Sequence, residues 1–79
     1  MKINKAFALK LSKIMYEKGI SKYKLEKKTG LTHATFRNIF NEVNSDIMFS
    51  TIINILSALG IELKDFFDDE LFDYKNLDY

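Results

Sequence analysis

Arg37 and Asn38 lie in a segment, His33 to Asn41, that contains no carboxylate. In a helix, Ala34, Arg37, Asn38 and Asn41 fall at i, i+3, i+4 and i+7 and share one face, whereas Phe36, Ile39 and Phe40 share the opposite one. The guanidinium fork of an arginine matches the two acceptors of guanine, and an asparagine amide pairs bidentately with adenine. An alanine permits close approach and can touch a thymine methyl. His33 and Thr35, at the start of the segment, reach bases or phosphates, and a helix N-terminus offers backbone N–H groups to a phosphate. The chemistry predicted is hydrogen-bonded reading of double-stranded DNA. The plain alternative is the solvated face of a helical bundle, but such a face ordinarily mixes acids with bases, and this one has no acid.

Catalysis finds no comparable constellation. The chain has no Cys and a single His, which excludes disulfides, thiolate metal sites and a His-rich zinc site. No Gly-rich phosphate loop is present, and the acids after Asp65 lack the Gly turn and ligand rhythm of a calcium loop. No enzyme activity, cofactor, metal or small-molecule ligand is expected. His33 is the one side chain whose ordinary titration lies near neutral pH, and a surface position at a helix start is its simplest role.

Charge divides the chain. Residues 1–41 carry nine Lys and Arg37 against Glu17 and Glu26, while residues 42–79 carry two Lys against nine acids. The formal net charge of +1 conceals this asymmetry, which points to an anionic partner for the first half.

The elements that must position these residues are helical. With 79 residues, 47% of them hydrophobic, no Pro and three Gly, the composition predicts one all-α domain held by packing alone. Periodicity predicts five helices near residues 5–18, 22–29, 33–41, 50–59 and 63–68. Gly19, Gly30 and Gly60 stand where helices end, and Ser21 and Thr32 where the second and third begin. Residues 29–32 then form the tight turn of a helix-turn-helix, with Leu31 plugging the angle between its helices. Residues 1–68 form the expected domain and residues 69–79 an acidic, aromatic tail. Lysines interrupt the apolar residues near the start, and polar residues interrupt the longest apolar stretch, so neither a leader nor a membrane span is expected. A cytoplasmic location is the default.

With these residues in view, the chain resembles the phage-repressor family of helix-turn-helix proteins, the Xre or Cro/repressor type. The resemblance rests on Gly19-Ile20-Ser21, Leu25, Lys28-Thr29-Gly30-Leu31-Thr32, Phe36, Ile39, Ala58-Leu59-Gly60-Ile61 and Phe66-Phe67, and covers about residues 7–67. It implies a five-helix, lambda-repressor-like fold whose third helix enters the major groove, usually as a homodimer on two half-sites one DNA turn apart. Carried onto this chain, the base contacts are His33, Ala34, Arg37 and Asn38. Backbone contacts fall to Lys22, Thr32, Thr35, Asn41, Asn44, Ser45 and Thr51. The implied function is a repressor-like transcriptional regulator.

Three departures qualify the resemblance. Glu26 stands where the family commonly has Ala, implying a looser or rotated approach of the second helix. Met15 and Phe40 replace a frequent Arg–Glu pair with an apolar one, which avoids burying charge. The loop at residues 42–46 contains Glu42 and Asp46, which repel phosphate. That acidity favours a rival reading, a protein-interaction or antitoxin-like regulatory subunit with weak DNA binding. The tail leaves alternatives open. Phe66, Phe67, Leu71, Phe72 and Tyr74 make either a two-fold dimer contact or a cover for the chain's own core; a third reading has the acidic tail competing with DNA for the Lys-rich face.

Overall fold

The computed structural model describes residues 1–41 and 46–78. The expected phosphate contacts Asn44 and Ser45, the repelling Glu42, and Tyr79 of the tail lie outside the described residues. Five α-helices follow in order: α1 (Ile3–Lys18), α2 (Lys22–Thr29), α3 (His33–Phe40), α4 (Phe49–Leu59) and α5 (Leu63–Phe67). Two single 3-10 turns, Glu70–Phe72 and Tyr74–Asn76, complete the described chain. The all-α, five-helix expectation holds. No helix among the described residues is long and apolar enough to cross a membrane.

The boundaries follow from local chemistry. Ser21 is extended, and its hydroxyl accepts the Lys24 N–H at 3.1 Å, a cap that stabilises α2 by about 1 kcal/mol. α1 begins earlier than its apolar spacing implies, because the Lys2 carbonyl accepts the Ala6 N–H at 3.1 Å. α4 begins at Phe49 rather than Ser50, the Met48 carbonyl taking the Thr51 and Ile52 N–H groups.

Every helix contributes to one core. Phe7, Leu11 and Met15 of α1 meet Leu25 of α2, Phe36 and Ile39 of α3, Ile55, Leu56 and Leu59 of α4, and Phe66 of α5. α1 packs on α3, and α2 packs on both α3 and α4. Met15 is buried and Phe40 half-buried, the latter stacked on Phe36 at 6.4 Å between centroids, so both remain apolar side chains of the interior or its edge.

The tail folds back onto this core. Phe72 packs against Phe67 at 4.8 Å and Phe66 at 5.8 Å between ring centroids, and Leu71 is half-buried. The Asp78 N–H reaches the Met1 carbonyl at 2.7 Å, and Lys2 and Asp78 form a single parallel bridge. Of the two roles left open for Phe66, a partner contact or the chain's own core, the single chain places it in the core. Its ring is only 1% exposed and lies 5.2 Å from that of Phe7, where α5 meets α1 over the core. Phe67 and Phe72 are half-buried as well, and among the five candidates for a dimer contact only Tyr74 is exposed.

An ion pair pins the tail to α1. The Asp69 carboxylate accepts the Leu71 N–H at 2.9 Å and Lys10 Nζ at 2.7 Å. These bonds, the backbone one foremost, hold its pKa below the ordinary aspartate value of 3.8. A depressed folded pKa contributes stability above the unfolded value and loses it as pH falls through the folded one. The tail anchor is therefore expected to persist from neutral pH down to about pH 4 and to weaken below it. Following the Leu71 amide by NMR across an acid titration checks this. A midpoint below 3.8 is expected, and Asp69→Asn abolishes the transition.

Candidate nucleic-acid interface

The candidate site is built on the turn between α2 and α3. Gly30 takes φ 73°, a left-handed conformation that glycine adopts without steric cost, and its N–H bonds the Glu26 carbonyl at 2.9 Å. Thr29 reinforces the stop. Its hydroxyl donates to the Leu25 carbonyl at 2.9 Å and accepts the Leu31 N–H at 3.2 Å. Thr32 then opens α3, its hydroxyl accepting the Thr35 N–H at 3.2 Å. Leu31 is half-buried against the core, as its plugging role requires.

α3 presents two faces. Phe36 and Ile39 are buried, whereas His33, Ala34, Arg37, Asn38 and Asn41 are exposed. Among the described residues no acid forms an ion pair with Arg37, which is exposed. The structure thus brings the four expected base-reading side chains onto one open surface. Thr32 is exposed and Thr35 half-buried, with their hydroxyls 3.0 Å apart. Thr51 of α4 joins them: a hollow of about 170 Å³ is lined by Thr35, Asn38 and Thr51 together with Asn4 and Asp46. Asp46 therefore brings negative charge to the same hollow as Asn38.

Lys22 sits at the other end of α3. Its ammonium lies over the Phe40 ring at 4.6 Å from the centroid, a cation–π contact that holds the charge beside the C-terminus of the helix. α2 adds Lys24, Lys27 and Lys28, all exposed, so four of its eight residues are lysines. One lysine of α1, Lys10, is taken by Asp69 of the tail.

Glu26, which stands where the family commonly has Ala, has a partner across the turn. It is half-buried, and its Oε2 lies 3.3 Å from His33 Nδ1, tying the ring at the start of α3 back to α2. Sequence reasoning missed this pair and also missed Asn54. The Asn54 amide donates to the Thr29 carbonyl at 3.0 Å, fastening α4 to the turn. A signal existed, since an asparagine set among Ile52, Ile55 and Leu56 competes with its own helix unless a partner engages it. Among the described residues no group of three or more acids and His is placed to hold a metal ion.

Two short helices across a glycine turn, the second with a donor-rich outer face, define a helix-turn-helix of the DNA-binding kind. The sequence model of the Cro/C1-type helix-turn-helix DNA-binding domain matches residues 10–71, and the chain belongs to that family. It is a DNA-binding domain of the regulator type, and double-stranded DNA is its partner. No curated protein and no solved structure matches the chain.

The tether from α4 to the turn is open to test. Asn54→Ala leaves the Thr29 carbonyl without its donor and is expected to destabilise the fold by about 1–2 kcal/mol. Denaturant unfolding measures the loss, and hydrogen exchange should quicken at Leu31 and Gly30. Unchanged stability and exchange would show that the bond carries no weight.

Proposed function

We propose that the protein is a sequence-specific transcriptional regulator of the repressor type, which lays α3 in the major groove and binds an inverted repeat as a dimer. One observation carries the reading. The exposed side of α3 offers Arg37, Asn38, Ala34 and His33 with no carboxylate of its own, while Phe36 and Ile39 anchor the other side in the core. In this arrangement Arg37 and Asn38 read base edges, and Ala34 and His33 flank them toward the helix start. Lys22, Thr32, Thr35, Asn41 and Thr51 hold the phosphates on either side, fixing register without carrying sequence information. The described chain measures 35 × 25 × 21 Å, and two half-sites one turn apart stand about 34 Å centre to centre, so one copy spans one half-site.

A second reading, a protein-interaction or antitoxin-like subunit with weak DNA binding, has specific support. Glu26 stands 3.3 Å from His33, and Asp46 lines the hollow beside Asn38. Both place negative charge near the proposed reading surface. Salt dependence separates the two readings, because a protein that neutralises phosphates releases counterions and loses affinity steeply as salt rises.

Selection of duplexes from a random pool supplies the target for the mutational test. Arg37→Ala and Asn38→Ala are each expected to cost about 1–3 kcal/mol on the selected duplex and to relax its sequence preference. Lys22→Ala should weaken selected and random duplexes alike and lower the salt slope by about one. Fluorescence anisotropy at two salt concentrations gives all three values. Equal losses on both duplexes for every variant would remove base readout from the account.

A further inference from the structure

The outward face of α4 leaves large apolar side chains in water. α4 (FSTIINILSAL) has no charged residue in eleven, in a chain where 29% of residues are charged. Its inward side, Ile55, Leu56 and Leu59, is buried in the core. Phe49, Ser50, Ile53 and Ser57 are its exposed residues, and the exposed Gly60 follows at its C-cap. Phe49 is 65% exposed, Ile53 44%, and the preceding Met48 70%. Surface helices of monomers place charged residues on such positions, and an uncharged apolar stripe marks an association surface.

The order of side chains along this stripe identifies the partner. A large ring, Phe49, stands at one end and small residues, Ser57 and Gly60, at the other, with Ile53 midway. A groove of about 330 Å³, lined by Ile53, Ser57, Gly60, Ile61 and Glu62 among others, runs beside the small end. A Cβ built at Gly60 meets nothing within 4 Å, so the surface there is open. We propose that two copies of the chain associate through α4, antiparallel about a two-fold axis at Ile53. That operation sets each Ile53 against its own copy and each Phe49 against Ser57 of the other, so both rings enter both grooves. Isologous contacts require this kind of self-complementarity, and a partner of another kind would not. α4 itself brings no charge to the contact, the exposed Glu62 standing at the wall of the groove, and the helix dipoles run antiparallel.

The proposal supplies the contact for the dimer of the preceding subsection and rests on that reading only for its biological use. It also moves the contact away from Phe66 and the tail, whose rings largely cover the core. Met48, Phe49 and Ile53 expose on the order of 350 Å² per copy, and with the groove walls two copies approach the roughly 1,000 Å² at the small end of specific interfaces. Association is accordingly weak and concentration-dependent.

Sedimentation equilibrium of the full chain without DNA tests it. The wild type should climb toward twice the chain mass as concentration rises through the micromolar range. Ile53→Glu and Ile53→Lys each set like charges across the axis and should weaken association at least tenfold, with unchanged circular-dichroism melts because the site is on the surface. Mixing the two variants should restore the dimer, since only a residue on the axis meets its own counterpart. Phe49→Ala should weaken association without any new charge. A wild type that stays monomeric, an Ile53→Glu variant that associates normally, or a mixture that stays monomeric overturns the proposal. A half-site duplex separates the two claims. If no chain binds DNA while the mass data hold, the DNA reading falls and the α4 contact stands; unchanged half-site binding with lost association upholds both.

Discussion

Phe36 and Ile39 have to leave water, and their burial sets the direction of everything else on α3. A helix of eight residues does not persist alone in water, so α3 exists because it docks. Burying a large apolar side chain contributes about 1.5–3 kcal/mol, more than any solvent-exposed polar contact on the same helix. The apolar pair therefore decides the rotation of α3. At 100° per residue, that rotation carries Arg37 and Asn38 to the opposite side. The reading surface is in this sense a by-product of the core.

Rotation alone does not fix the tilt of α3 relative to α2, and there polar groups take over. The turn must satisfy backbone groups that neither helix can reach internally. Thr29 donates to the last carbonyls of α2 and receives the Leu31 amide, and Asn54 of α4 caps the Thr29 carbonyl from outside the motif. The Glu26–His33 contact adds a link on the exposed side. Each bond is modest by itself. Together they connect the turn to three helices, so the angle of α3 is determined by the whole domain rather than by the two helices that flank Gly30.

The surface divides into three kinds of territory. α2 is dense with lysines, the tail supplies acids, and α4 presents neither. The acidic tail reaches the basic α1 through Asp69 and Lys10, so part of the charge asymmetry is neutralised within the chain and the remainder faces outward. The aromatic residues of the tail close the end of the core over Phe66, while the α4 stripe stays an apolar surface without a cover in one copy.

Much of the architecture was legible in the residues. The helix ends at Gly19, Gly30 and Gly60, the caps at Ser21 and Thr32, and the split of α3 into two faces all obey local rules of backbone geometry, in which spacing along the chain is enough. The resemblance to phage-repressor proteins extended that reading, and the family match to residues 10–71 agrees with it. What the sequence could not decide are pairings between segments remote along the chain: Lys10 with Asp69, 59 residues apart, and Asn54 with Thr29, 25 apart. The same holds for the choice of Phe66 as core and Phe49 as surface. Both are phenyl rings, one in the uncharged α4 and one in an α5 that also carries Lys64 and Asp65, with equal reason to avoid water. Hydropathy says that each must be covered, and only the meeting of α1 with α5 in three dimensions decides which one is.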